Sequence, residues 1–152
     1  MDIKKIAKEY LLEHGYESDL IYYMFNSENC IIEDSYSRMI LLRDRLLVID
    51  RASDTVVKGI SFEDEMGEFF EIYKHGKGYV VWGELEILYL TEELMIDWTF
   101  SGRDIFVRRD NKKAVALNDK EIIIIDWLGW CYHIGYDGKL ISDTTLFENW
   151  NA

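Results

Sequence analysis

The sequence predicts an α+β fold that is mostly an antiparallel β-meander, forming a curved sheet or partly open barrel of eight or more strands. Three observations predict it. From Cys30 onward, short apolar runs rich in Ile, Val, Leu and Tyr alternate with polar turn clusters. The turns are too short for crossovers, so neighbouring strands must run antiparallel. An apolar stripe of helical period precedes these runs, and a second one interrupts them near 62–74.

Asp2 is placed to cap the first helix, expected over about 3–14. Ile3, Ile6, Ala7, Tyr10 and Leu11 then share one face, and Gly15 is a natural stop. The segment Asp19 to Phe25 suits either a short helix capped by Ser18 or a strand. Strands are expected near 30–33, 38–43, 45–51 and 55–60. A second helix is expected at 62–74: Ser61 and Asp64 form a capping-box-like pair, Glu63, Asp64 and Glu65 occupy the first turn, and Phe62, Met66, Phe69, Phe70 and Tyr73 form the stripe. Gly67 and the aromatic load argue against it. Further strands are expected near 79–82, 84–90, 94–100, 104–109, 113–117, 121–126, 130–135 and 139–142. Asp110-Asn111, Asn118-Asp119 and Asp137-Gly138 supply hairpin turns.

One internal recurrence stands out. Leu94-Met95-Ile96-Asp97-Trp98 resembles Ile123-Ile124-Ile125-Asp126-Trp127, and Leu47-Val48-Ile49-Asp50 shares part of it. A duplicated hairpin unit, as in propeller blades or rolls, would produce this. Ordinary strand-then-turn texture produces it too and is preferred, because nothing repeats three times at a fixed period.

The 152 residues fit one domain, 1–152, and contain no proline with which to build a stiff linker. The 49% apolar fraction excludes a disordered chain. The two cysteines, Cys30 and Cys131, read as thiols in a reducing compartment. The N-terminus has no uninterrupted apolar core of the kind a signal peptide needs, so the expected location is the cytoplasm.

The formal charge of −12 disfavours nucleic acid and anionic membranes and favours a basic protein partner. Residues 15–37, 61–73 and 84–97 each carry five acids and no Lys or Arg, whereas residues 98–113 hold five basic residues against two acids. If the acidic blocks meet in space, one face is strongly anionic.

Chemical signatures are sparse. Cys131-x-His133 places two potential metal ligands on one strand face, but completing a site needs Cys30, His75 or a distant carboxylate. The same residues lack the context of a nucleophile–base pair. Gly76-Lys77-Gly78 has neither P-loop nor dinucleotide spacing. No cofactor and no catalytic residue is indicated. Asp97, Asp104 and Asp126 sit at strand ends beside Trp98 and Trp127, a combination that suits a small-ligand or carbohydrate site, including a hydrolytic one.

In size, acidity and lack of catalytic signature, the chain is similar to the small bacterial immunity proteins that neutralise basic toxins. The resemblance is one of type and transfers no residues. It implies a non-enzymatic protein-binding or inhibitor domain presenting an acidic, aromatic-bearing face. The residues expected to bind are Glu63, Asp64, Glu84, Glu86, Glu92 and Glu93, with Tyr22 and Trp130 as aromatic anchors.

Overall fold

The computed structural model describes residues 2–146. The chain divides into two compact units between Lys74 and His75.

The N-terminal unit opens with α1 (Ile3–Glu13). The Asp2 side chain caps it by accepting from Lys4 N at 3.1 Å. Ile3, Ile6, Ala7 and Leu11 are its buried face, and Gly15 follows at φ +89°, a conformation that glycine adopts without strain. A short helix, α2 (Ser18–Tyr22), resolves the ambiguous segment. A four-stranded sheet follows, with β1 (Ile31–Glu33), β2 (Ser37–Leu41), β3 (Arg45–Asp50) and β4 (Thr55–Ser61) in that order. The buried stripe of α1 packs with Ile21 of α2 against Ile40, Leu42, Leu47 and Ile49.

The expected second helix is absent. Asp64–Met66 form a single 3₁₀ turn with no side-chain cap, and Phe69–His75 is a strand, β5. Gly67 ends the turn at φ +75° and ψ −160°, a conformation in effect restricted to glycine. The aromatic and β-branched residues beyond it favour a pleated surface over a helix, where they lose χ1 freedom.

A second sheet has the order β5-β6-β7-β8, with β6 (Gly78–Gly83), β7 (Glu86–Leu90) and β8 (Ile96–Ser101). A third joins β9 (Val115–Leu117), β10 (Glu121–Ile125), β11 (Trp130–Gly135) and β12 (Leu140–Thr145). The strand expected at 104–109 does not form. Its backbone serves turns instead: Phe106 N donates to Glu84 O at 2.7 Å, and Ile105 O accepts from Trp127 N at 2.8 Å. Asp110-Asn111 is therefore not a hairpin turn.

The expectation of one curved α+β sheet or partly open barrel is thus corrected. Among the described residues the fold is mostly β, in three separate four-stranded antiparallel sheets with two short helices. Each sheet is a meander of four consecutive strands. The second strands start at Ser37, Gly78 and Glu121 and the fourth at Thr55, Ile96 and Leu140, a recurrence of about 41 to 44 residues, which is the period of a four-stranded propeller blade.

The sheets share a burial profile. The middle strands are apolar and largely buried, extending to every residue of β6, while β4, β8 and β12 are mostly exposed. They also share a lock. After each fourth strand, immediately for β4 and β12 and five residues on for β8, a backbone N–H bonds a carbonyl in the turn between that sheet's second and third strands. The pairs are Phe62 to Asp44 at 2.9 Å, Phe106 to Glu84 at 2.7 Å and Leu146 to Gly129 at 2.7 Å.

Three polar side chains are buried among the described residues: Asn26, Glu71 and Asp126. The Asn26 amide donates to Leu41 O at 3.1 Å and Phe69 O at 3.0 Å, tying β2 to β5 within the N-terminal unit. The Glu71 carboxylate accepts from the Tyr73 hydroxyl and the Asn29 amide, each at 2.9 Å. Asp126, fully buried, accepts from Leu128 N and Trp130 N at 3.0 Å each and from the Tyr132 hydroxyl at 2.6 Å. Arg103 N in turn donates to the Tyr132 oxygen at 2.8 Å.

Two outcomes are expected. Asn26→Ala leaves two buried carbonyls without their donor and should cost about 1–3 kcal/mol in urea unfolding. Tyr132→Phe leaves the Asp126 carboxylate and Arg103 N each short of a partner, with a similar cost of about 1–3 kcal/mol near neutral pH. Burial, then the bond to Asp126, raises the Tyr132 pKa. A raised folded value means the phenol's contribution is complete below pH about 10, the ordinary tyrosine value, and is lost as pH rises through the raised one. Unfolding measured from pH 8 to 11 should show the gap between wild type and Tyr132→Phe closing at the alkaline end.

Candidate functional site

The clearest concavity bearing the expected charge lies in the N-terminal unit, a groove of about 420 Å³. Its acidic side comes from the stretch misread as a helix. Glu63 and Asp64 flank the start of the 3₁₀ turn, and Glu68 follows the Gly67 reversal. All three are exposed. Asp44, in the turn between β2 and β3, adds a fourth carboxylate.

The opposite side comes from the first acidic block, yet it contributes rings and aliphatic groups rather than acids: Tyr16, Leu20 and Tyr23. Leu20 is 57% and Tyr23 69% exposed, because α2 is too short to bury more than Ile21. Two of the three acidic blocks therefore meet at one groove, one supplying charge and the other apolar surface.

Two arginines temper the charge. Arg43 bonds Glu68 at 3.1 Å. Arg45 bonds both oxygens of Asp44 at 2.9 Å, donates to the Tyr16 hydroxyl and lies 4.5 Å over the Tyr16 ring. The bond to Asp44 raises the Arg45 pKa, so the guanidinium stays charged and neutralises Asp44. Among the described residues Glu63 and Asp64 have no cationic partner and are left to meet one from outside, beside Tyr23.

The other expected anchors fall elsewhere. Tyr22, 78% exposed, lines a different groove with Lys4, Lys5 and Lys8, so it does not stand in the acidic one. Its neighbour Tyr23 takes that place, and the two rings meet edge to face at 5.4 Å. Trp130 offers no open ring face on one side, since the Arg103 guanidinium lies 3.7 Å over it while bonding Asp143 at 2.7 Å.

Glu84, Glu86, Glu92 and Glu93 all belong to the C-terminal unit. Glu84 sits in the turn between β6 and β7 and Glu86 opens β7, accepting from the Ser101 hydroxyl at 2.9 Å. Glu92 and Glu93 are exposed in the turn between β7 and β8.

The Asp and Trp residues of the alternative ligand site are engaged separately. Asp126 is buried and holds its own turn together, which withdraws it from any ligand. Asp104 caps Ile105 N at 2.7 Å. Trp98 donates to Tyr136 O at 2.9 Å and stacks on Tyr89. Asp97 is exposed on β8. Trp127, 39% exposed, lies under Arg109 at 5.0 Å. The basic block follows the same rule, with Arg108 paired to Asp110.

Cys131 Sγ and His133 Nε2 are 3.8 Å apart, and His133 Nδ1 meets Glu121 at 2.9 Å. Among the described residues no group of three His, Cys, Asp or Glu side chains is arranged to hold a metal ion. Both cysteines are free, and burial raises the pKa of each thiol. A raised value suppresses the thiolate at neutral pH, which is the opposite of an activated nucleophile. Iodoacetamide at pH 7.5 should therefore alkylate Cys30 and Cys131 at least tenfold more slowly in the folded protein than in urea. A fast-reacting Cys131 in the folded state would restore the nucleophile reading.

No helix among the described residues is long and apolar enough to cross a membrane. No protein-family model matches the chain, and no curated protein sequence matches it, so the resemblance to immunity proteins stands on composition alone. Solved structures do match in fold. One is the Neurospora crassa Pan2 WD40 domain, with a TM-score of 0.55 and 9% identity over 77% of this chain and 37% of that one. Another is BamB from Moraxella catarrhalis, with a TM-score of 0.51 and 12% identity over 80% of this chain and 36% of that one. The chain thus spans little more than a third of each. At such identities the likeness concerns the fold alone: four-stranded antiparallel sheets of the propeller-blade kind.

Proposed function

We propose that the protein is a non-enzymatic protein-binding or inhibitor domain that takes a basic segment of a protein partner into the groove between α2 and the 62–68 turn. The observation that carries this reading is the coincidence, in one concavity, of the carboxylates Glu63 and Asp64, unpaired among the described residues, with the exposed Tyr23 and Leu20. Charge of this sign steers a basic partner during encounter, and an aromatic anchor slows its release. Propeller-type sheets commonly serve protein–protein recognition, which supports the same class of function. A cytoplasmic setting belongs to the proposal, supported by the two free thiols.

The test is a pull-down at low salt with elution by a salt step, followed by kinetics on the protein captured. Wild type should release a basic protein. Glu63→Gln with Asp64→Asn should slow association several-fold and flatten its salt dependence, whereas Tyr23→Ala should speed release. The same kinetics on Glu84→Gln, Glu86→Gln, Glu92→Gln, Glu93→Gln shows whether the other acidic segment takes part. An association rate indifferent to Glu63 and Asp64 would overturn the assignment of this groove.

A further inference from the structure

The second groove of the N-terminal unit carries the opposite charge. Its volume is about 410 Å³, and α1 supplies its rim with Lys4, Lys5 and Lys8. Phe25, half-buried, gives most of its apolar floor, since Ile21 is almost wholly buried, and the Tyr22 ring stands beside it, 78% exposed. Helix α2 serves both concavities, giving Ser18, Ile21 and Tyr22 to this one and Leu20 and Tyr23 to the acidic one.

Lys4, Lys5 and Lys8 are set apart by their grouping around one groove and not by lacking ion pairs, a state that Lys77, Lys112, Lys120 and Lys139 share within the described residues. Arg38, Arg43, Arg45, Arg51, Arg103 and Arg108 each pair with a carboxylate of the protein itself. Lys4, Lys5 and Lys8 make no ion pair within the described residues, although the protein carries 29 Asp and Glu. Asp2 lies on the same rim, but its carboxylate is directed to the backbone N of Lys4 as the helix cap. What distinguishes them is that three ammonium groups without an ion pair among the described residues gather around one apolar groove.

We infer that this groove is a docking site for an acidic protein segment, one that lays carboxylates along Lys4, Lys5 and Lys8 and an apolar side chain on Phe25 beside Tyr22. The spacing of the rim favours an extended ligand. Lys4 and Lys8 are one helical turn apart, about 6 Å along the axis, so they meet successive charges on a chain rather than one compact anion. A free phosphate would leave the apolar floor and Tyr22 unused. An anionic bilayer is disfavoured, because three lysines gain little against the repulsion of a chain with a net charge of −12. The pattern of apolar centre, aromatic edge and charged rim is that of a protein interface.

The inference is independent of the acidic groove, since the charged residues of the two sites do not overlap. Its test uses the full chain, ¹⁵N-labelled, titrated at low salt with a twelve-residue peptide of alternating Glu and Phe. Saturable shift changes are expected at α1 and α2. Lys4→Glu, Lys5→Glu, Lys8→Glu should weaken binding tenfold or more, and Tyr22→Ala several-fold. The same charge change placed elsewhere, as Lys112→Glu, Lys120→Glu, Lys139→Glu, should leave the affinity within twofold. Equal weakening by both triple variants would mean only a general charge effect and would overturn the site, as would no saturable shift in wild type. Inorganic phosphate and phosphatidylserine vesicles serve as competing probes. Saturation of the α1 and α2 shifts by either, with the peptide silent, would reassign the groove to a phosphate ligand or a membrane.

Discussion

The buried middle pair of strands is the constraint on which each sheet depends. A strand buried on both faces cannot alternate polar and apolar residues, so it reads as a continuous apolar run. Gly78–Gly83 is the extreme case, with all six residues buried. Such a strand must find hydrogen-bond partners on both sides, because an unpaired buried peptide group costs as much as a lost bond. The flanking first and fourth strands meet that need, and the fourth can be mostly exposed because it needs only one covered edge. A turn carbonyl in each middle hairpin is answered in its turn by the N–H that follows the fourth strand.

This arrangement explains what the sequence revealed and what it hid. Helix α1 was legible because capping residue, stripe and stop agree. Most strands were legible from apolar runs and turn residues. The grouping of strands was not, because a hairpin and a passage to the next sheet both look like polar residues between apolar runs. Their lengths differ: connections within a sheet take two to five residues, while the passages 62–68 and 102–114 take seven and thirteen. Both longer passages were read as structure, the first as part of a helix and the second as containing a strand, because aromatic and aliphatic residues recur in them. Phe62 and Phe106, 7% and 1% exposed, are buried pegs on irregular backbone rather than members of a periodic face.

The acidic groove was half legible. Glu63 and Asp64 stood out through local charge, and the meeting of two acidic blocks was foreseeable as a possibility. Which ring would accompany them depended on the direction taken by a five-residue helix, where one step in sequence rotates a side chain by about 100°. Tyr22 and Tyr23 consequently face opposite charges. Asp126 shows the reverse failure. Beside Trp127 it resembled a ligand-binding carboxylate, yet its position as the first residue of a four-residue turn made it an internal acceptor for Leu128, Trp130 and Tyr132.

The recurrence noticed in the sequence and the recurrence present in the structure are different things. The Leu94, Ile123 and Leu47 segments fall in a fourth, a second and a third strand, so their likeness is coincidental. The true period is carried by spacing and by main-chain bonds to Asp44, Glu84 and Gly129, carbonyls that any residue can provide. A lock of that kind places no demand on side-chain identity. Successive sheets are therefore free to drift apart by substitution until no internal likeness survives, while the interval from one second strand to the next holds at 41 and 43 residues. The ancestry of such a chain is better traced by counting intervals than by matching letters.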